Sequence, residues 1–140
     1  MFVCDIAARK TSQSSTIVYE DELVVAFMDR APRNPGHVLV VPIQHAEDIL
    51  DVPASTVSRM AAVAQKIAIA IKETDLKADG FNLQSNTGRA AGQTVFHLHL
   101  DVIPRFIGEP PYLGERNIAS PANVEAVAKK LREILDRAPR

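Results

Sequence analysis

The sequence predicts an α+β fold in which a five-stranded, mostly antiparallel sheet carries its helices on one face. The first observation is a set of five strand-like segments, at residues 17–20, 23–29, 37–43, 81–86 and 93–105. The second is a long helical pattern between the third and fourth segments, and the third is a helical pattern at about residues 120–137. A chain of 140 residues fits one domain, so we expect a single domain over residues 1–140.

The first three strands are predicted from turn residues and apolar runs. Asp21 and Glu22 separate the first two segments, which indicates a β-hairpin. Residues 38–41 are all apolar, which indicates a central strand that is buried on both faces. Pro42 comes near the end of that strand, where the loss of a backbone donor is tolerated. Residues 1–10 are expected to form a short amphipathic helix.

Two longer helices are predicted from apolar residues at helical spacing. Pro53 is a suitable first-turn residue for one helix, which should end at about residues 73–78. Ser120 and Pro121 are a cap and a first-turn proline for the other. The expected apolar faces are Val57, Met60, Ala64, Ile67, Ala68 and Ile71 in the first helix, and Val124, Val127, Leu131, Ile134 and Leu135 in the second. A short helical turn is expected at residues 44–50.

The fifth segment is the candidate for chemistry, because two histidines and an aspartate alternate along it. On a strand, His97, His99 and Asp101 would lie on one face, with about 6.5–7 Å between successive Cα atoms. Such a row can surround a small anion or a metal ion. A neutral histidine can attack phosphorus when its second ring nitrogen donates to a fixed acceptor, often a backbone carbonyl. The Gly-rich loop at residues 86–94, which includes Arg89, supplies donors suited to phosphate oxygens.

Composition excludes several classes of protein. The net charge of −1 gives no general attraction to nucleic acid or to a membrane, and neither is expected as a partner. The single cysteine, Cys4, excludes an internal disulfide and a zinc site built on a cysteine pair, which suits a reducing cytoplasm. No run approaches the length of a membrane span, and the N-terminus lacks the pattern of a signal peptide. We therefore expect a cytoplasmic protein.

The order of these residues resembles the signature of the histidine triad (HIT) superfamily of nucleotide hydrolases and transferases. The signature is an asparagine, a small residue and a glutamine, followed by three histidines that alternate with apolar residues. The positions in register are Asn86, Ala91, Gln93, Val95, His97, Leu98, His99, Leu100, Val102 and Ile103. The resemblance also covers residues 19–29 and 35–42, and thus most of residues 1–105. It departs from the family at Asp101, which stands where the third histidine is expected.

The resemblance implies the roles of the site residues. His99 corresponds to the nucleophile, His97 fixes its orientation, and Asp101 takes a phosphate-contacting position. Six further residues would bind substrate: Asp29 at the ribose, Phe27 (with Val3 or Ile6) at the base, His37 beside the nucleotide, and Asn86, Gln93 and Thr94 at the α-phosphate and leaving group. In some relatives a residue corresponding to His45 joins a zinc ion with two cysteines. Only Cys4 is present here, so no metal and no cofactor is expected.

The implied activity is hydrolysis at the α-phosphate of AMP-linked substrates, either adenosine phosphoramidates or dinucleoside polyphosphates, through a nucleotidyl-histidine. The expected partners are a purine nucleotide such as AMP and a second copy of the chain, because the family forms two-fold dimers. An ionised Asp101 would repel the substrate phosphate, so a nucleotide-binding module with little or no turnover is the alternative. A metallohydrolase that uses His97, His99 and Asp101 is a third reading, because nitrogen and carboxylate ligands suit zinc.

Overall fold

The computed structural model describes residues 16–111 and 121–137. Five strands form one sheet: β1 (Ile17–Glu20), β2 (Val24–Met28), β3 (Val38–Pro42), β4 (Gly80–Gln84) and β5 (Leu100–Arg105). Their spatial order is β1-β2-β3-β5-β4, and every neighbouring pair is antiparallel. The predicted hairpin and the central, fully buried third strand are therefore confirmed. The expected helix at residues 1–10 lies outside the described residues.

Two α-helices cover one face of the sheet, as predicted. Helix α1 (Ala54–Lys72) begins directly after Pro53, and helix α2 (Pro121–Arg137) begins at Pro121. The predicted apolar face of α1 is buried at Met60, Ala64, Ile67 and Ile71, and that of α2 at Val124, Leu131, Ile134 and Leu135. Val57, Ala68 and Val127 are only half-buried, whereas Val63, Ala70 and Ala128 are buried as well. None of the helices within the described ranges is long and apolar enough to cross a membrane.

Alternation along the strands divides the apolar residues between the two faces of the sheet. On β2 and β3, Val24, Ala26, Met28, Val38 and Val40 join the main core beneath the helices. The intervening residues Val25, Phe27, Leu39 and Val41 form a second cluster on the opposite face, to which Ile17 and Val95 add. Asp29, His37 and Asp101 continue this second face by the same alternation, so buried polar groups lie beside an apolar patch.

Strand β5 is shorter than predicted, because it begins at Leu100 and residues 93–99 belong to no strand. Its pairing with β3 ends at the partners Val40 and Leu100. Pro42 has no backbone N–H to continue the ladder, and its carbonyl oxygen accepts a hydrogen bond from the His97 ring at 3.0 Å. The prediction of a strand over residues 93–99 is therefore wrong. Instead, Leu98 N donates to Ala46 O at 2.7 Å, which fixes this segment against the loop after β3.

The connections that frame the second face are loops held by specific contacts. The predicted helical turn at residues 44–50 is displaced: a short 3-10 helix forms at Ile49–Asp51, capped by the Asp48 carboxylate. Before β3, Gly36 has a φ of +88°, and a Cβ there would lie 2.8 Å from Leu76 Cδ1 and 3.1 Å from Pro104 Cγ. Only glycine fits this approach without displacement. The turn places His37 at the start of β3.

Candidate active site

The His99 imidazole is held as the tautomer that a nucleophile requires. Its Nδ1 lies 2.9 Å from the backbone oxygen of His97. A carbonyl oxygen can only accept, so Nδ1 carries the proton and Nε2 keeps its lone pair. The side chain is 15% exposed, and Nε2 is therefore placed in a largely enclosed position that still reaches solvent. Neutral His99 can attack an electrophile through Nε2.

The Asp101 carboxylate lies close to that lone pair. Its Oδ2 lies 3.9 Å from His99 Nε2, while its Oδ1 lies 2.9 Å from His37 Nε2. The residue is only 5% exposed. Strand β5 points Asp101 to the helix-free face, where it meets His37, the residue directly before the adjacent strand β3. The structure therefore brings Asp101 and His99 together as predicted, with one carboxylate oxygen held and the other beside the reactive nitrogen.

His37 is fully buried, and both of its ring nitrogens are engaged. Arg33 N donates to its Nδ1 at 3.1 Å, so Nε2 carries the proton and donates to Asp101. Asp29 Oδ2 lies 3.7 Å from His37 Nδ1, and Asp29 Oδ1 accepts from Ala31 N at 2.9 Å. Asp29, His37 and Asp101 each offer a potential metal-ligand atom, and these atoms all lie within 4.8 Å of one another. A cation bound there would have to displace the hydrogen bonds of the His37 ring.

The His97 ring points away from His99. It is buried, its Nε2 donates to Pro42 O, and its Nδ1 lies 3.2 Å from His45 Nδ1. Since His97 Nδ1 must then accept, His45 Nδ1 is the donor of that contact. Burial is the main cause that lowers the pKa of His97, with smaller contributions from His45 and His99, against the opposing hydrogen bond to Pro42. The expected row of three side chains around one anion is therefore wrong for His97, which supports His99 through its carbonyl oxygen.

The Gln93 amide holds the loop of residues 86–92 in place. Its Oε1 accepts from Gly88 N at 2.8 Å, and its Nε2 donates to Glu47 O at 2.8 Å and to Val95 O at 3.2 Å. The side chain is buried, and all of these partners are backbone groups. The expectation that Gln93 itself contacts a substrate phosphate is thus at odds with its geometry, because both of its N–H donors are already used by backbone carbonyls. Its role here is to shape the loop.

The other predicted binding residues lie in the loop of residues 86–94 and in the second apolar cluster. Asn86 is half-buried and Thr94 is exposed, on either side of a 3-10 turn at Arg89–Ala91. The Arg89 guanidinium carbon lies 5.7 Å from the centre of the Phe96 ring. Phe27 is fully buried within the second apolar cluster. Val3 and Ile6 lie outside the described residues.

Sequence patterns missed the groups that set the tautomers, because most of them are backbone atoms. The carbonyls of Pro42 and His97 and the N–H of Arg33 have no residue-specific signal. His45 was the exception, because the sequence shows it as one of four histidines. Its contact with His97 depends on the loop after β3, whose path the sequence pattern did not predict.

This arrangement, a histidine directly before strand β5 whose Nε2 keeps its lone pair, preceded in the chain by a Gly-containing loop, is that of a nucleotide-binding protein of the histidine triad type. Residues 10–108 match the HIT domain, and the chain belongs to the HIT family, a family of nucleotide-binding hydrolases and transferases. An uncharacterised HIT-like protein of Saccharolobus solfataricus is 43% identical over 94 residues, which are 67% of each chain.

Two further comparisons agree with this membership. The crystal structure of a Zn-bound histidine triad family protein from Mycobacterium smegmatis is 40% identical, with a TM-score of 0.82 over 97% of this chain and 93% of that one. The adenylylsulfatase HINT3 of Arabidopsis thaliana is 38% identical over 88 residues, which are 63% of this chain and 44% of that protein. The predicted five-stranded α+β fold is therefore confirmed by the family's known structures as well as by the sheet itself.

Proposed function

We propose that this protein hydrolyses AMP-linked substrates at the α-phosphate through a covalent nucleotidyl intermediate on His99. The observation that carries the proposal is the hydrogen bond from His99 Nδ1 to the His97 carbonyl, which leaves the Nε2 lone pair available. The lowered pKa of the neighbouring His97 keeps a second positive charge away from the nucleophile near neutral pH.

The reaction has two displacement steps at phosphorus. In the first, the His99 Nε2 lone pair forms an N–P bond, and the leaving group departs with the electrons of its bond to phosphorus and takes a proton from solvent. In the second, water attacks phosphorus, the N–P electrons return to Nε2, and the surplus proton passes to solvent. The products are a nucleoside monophosphate, the protonated leaving group and neutral His99.

Binding groups surround this nitrogen on the helix-free face. Asn86 and the Thr94 hydroxyl are the proposed donors for the oxygens of the α-phosphate, whereas the N–H groups of Gly88, Ala91 and Gly92 are engaged within the loop. Asp29 is the proposed ribose-binding acid, because a carboxylate can accept from both hydroxyls. His37 orients Asp101 from below, and Phe27 contributes to the apolar floor under the base. Gln93 acts through the loop that it holds.

A nucleotide-binding module with little turnover is the second candidate, favoured by the carboxylate beside His99 Nε2. An anionic neighbour repels the substrate phosphate that must approach Nε2. Calorimetric binding of AMP without turnover of any AMP conjugate would support this candidate. Turnover at even a slow, His99-dependent rate would support the hydrolase.

A metallohydrolase is the third candidate, and the structure gives it little support. The His97 ring is engaged by Pro42 O and His45, so it does not join His99 and Asp101 in one ligand set. The Mycobacterium smegmatis relative is described as Zn-bound. In this chain the single cysteine, Cys4, lies outside the described residues, and we retain the expectation of no metal. Elemental analysis of the purified protein tests it, and stoichiometric zinc would contradict it.

We also propose a two-fold homodimer. Strand β4 is at the edge of the sheet, and its residues are exposed or half-buried. Beside it, Ile49, Val57, Met60, Leu98 and Leu100 line a small apolar cavity that includes Ala61 and Ser85. One self-complementary patch of this kind suits an isologous contact. Light scattering at micromolar concentration should give twice the monomer mass, and a monomer would contradict the proposal.

The hydrolase proposal is tested by comparing wild-type protein with the His99→Ala variant on a panel of AMP conjugates. The variant should lose turnover, because no other described imidazole has a lone pair at that place. Its affinity for AMP, measured by calorimetry, should stay within about tenfold, or about 1.4 kcal/mol. Full activity of His99→Ala would overturn the assignment of the nucleophile.

A further inference from the structure

The carboxylate of Asp101 has one oxygen engaged and one directed at the reaction centre. Oδ1 accepts the Nε2 proton of His37 at 2.9 Å. Oδ2 forms no hydrogen bond within residues 16–111 and 121–137, and it lies 3.9 Å from His99 Nε2. Because the residue is 5% exposed, water screens this oxygen poorly until a substrate arrives. A group bound next to His99 therefore meets a nearly buried acceptor that needs a partner.

The hydrogen bonds of His37 present a ring N–H donor to Asp101. His37 Nδ1 is occupied by the Arg33 N–H, so His37 can present only a donor to Oδ1. A second carboxylate, Asp29, lies 3.7 Å from the other side of the same ring. Neutral His37 thus stands between two acids, and the described side chains place no cation between Asp101 and His99.

The Asp101 carboxylate affects the two halves of a substrate differently. The α-phosphate is bound in every reaction at this site, so its repulsion by Asp101 is common to all substrates. The leaving group varies, and its charge decides whether the carboxylate opposes or favours binding. A polyphosphate leaving group adds negative charge within a few ångströms of Oδ2. An ammonium group at the same place supplies the missing partner.

We infer that Asp101 determines specificity, and that it selects AMP conjugates whose leaving group carries a positive charge close to the scissile bond. The inference rests on the proposed hydrolase function and narrows its substrate class. Phosphoramidates of diamines meet the requirement, whereas dinucleoside polyphosphates do not. In such a phosphoramidate the P–N bond breaks, the amine leaves with the bonding pair, and it takes its proton from solvent.

The test uses three AMP phosphoramidates with the same P–N–CH2–CH2 linkage, derived from ethylenediamine, propylamine and β-alanine. Their free ends are an ammonium, a methyl and a carboxylate group. Wild-type kcat/KM should fall in that order by about tenfold or more at each step, as expected for charges about 5 Å apart at an effective dielectric near 20. In Asp101→Asn, which keeps the shape and removes the charge, the three values should converge to within about threefold after this electrostatic preference is lost.

Two controls separate a failure of the inference about Asp101 from a failure of the hydrolase proposal. Asp75→Asn removes the same charge from an exposed residue outside the site, and should keep the wild-type order. Binding of the three conjugates to His99→Ala, measured by calorimetry, reports the charge preference without turnover. Equal kcat/KM values in the wild type, or the same order in Asp101→Asn, would overturn the inference while leaving the hydrolase in place. If wild-type protein turns over none of the conjugates, both the hydrolase and this inference fail.

Discussion

Replacing Gln93 with alanine distinguishes a loop-holding residue from a substrate contact. The change removes three hydrogen bonds to Gly88 N, Glu47 O and Val95 O. Two of them are 2.8 Å long, and each contributes about 1 kcal/mol net in a typical protein. Gln93→Ala should therefore lower the free energy of unfolding by about 2 kcal/mol, and by more if the buried backbone groups stay unpaired. Because the loop then loses its shape, kcat/KM should fall by at least about tenfold.

The assay is urea unfolding together with steady-state hydrolysis of an AMP phosphoramidate. Gln65→Ala, at an exposed position on α1, is the matched control and should change neither quantity. Gln93→Glu keeps the acceptor for Gly88 N but sets a buried carboxylate oxygen against the carbonyl oxygens of Glu47 and Val95, so it should be at least as destabilised as Gln93→Ala. If Gln93→Ala loses activity while its stability stays within about 0.5 kcal/mol of wild type, the side chain contacts substrate and its assignment to the loop is refuted.

Three more outcomes are expected from the same face of the sheet. Asp101→His should raise kcat/KM for a phosphoramidate with a neutral leaving group by at least about tenfold between pH 5 and 8, which corresponds to about 1.4 kcal/mol of transition-state stabilisation. An unchanged rate would show that the aspartate is adapted to that substrate. Gly36→Ala should destabilise the protein by more than about 1 kcal/mol in urea, because its φ is +88° and Leu76 Cδ1 would lie 2.8 Å from the new Cβ; equal stability would contradict the contact. Burial lowers the pKa of His97 in the folded state. The neutral side chain therefore makes its full contribution to the free energy of unfolding above the unfolded pKa of about 6.5, and this contribution is lost as pH falls toward the lower folded pKa. The urea midpoint should therefore drop from pH 7.5 to 5.5, less steeply in His97→Asn, and an identical slope in the variant would refute this role.

The fold could be predicted largely from sequence because its signals are local. The apolar run at residues 38–41 gave the buried central strand, and helical spacing gave both apolar helix faces. The start of β5 could not be predicted in the same way. Alternation continues through residues 93–99, but a strand also needs a hydrogen-bonding partner. Pro42, at the end of the neighbouring strand, cannot be that partner, because it has no N–H and its carbonyl oxygen already accepts from the His97 ring.

The candidate site shows the same division between local and long-range information. The sequence indicated His99 and Asp101, and the structure brings them within 3.9 Å. The direction of the His97 ring depends on Pro42 and His45, which are more than fifty residues away along the chain. Spacing along the chain therefore predicted that His99 and Asp101 meet. It could not predict that His97 contacts His99 through its carbonyl oxygen instead of its ring, because the ring direction depends on contacts with other segments.

The central claim is that His99 Nε2 becomes bonded to phosphorus during turnover. The direct measurement is rapid acid-free quenching of wild-type protein with an AMP phosphoramidate, followed by peptide mapping with mass spectrometry under alkaline conditions, in which a phosphorus–nitrogen bond to histidine survives. We expect one adenylyl group per chain, located on His99, which forms before AMP is released and is absent from His99→Ala. Turnover of the same substrate with no adduct at any time, or with an adduct on a residue other than His99, would contradict the claim.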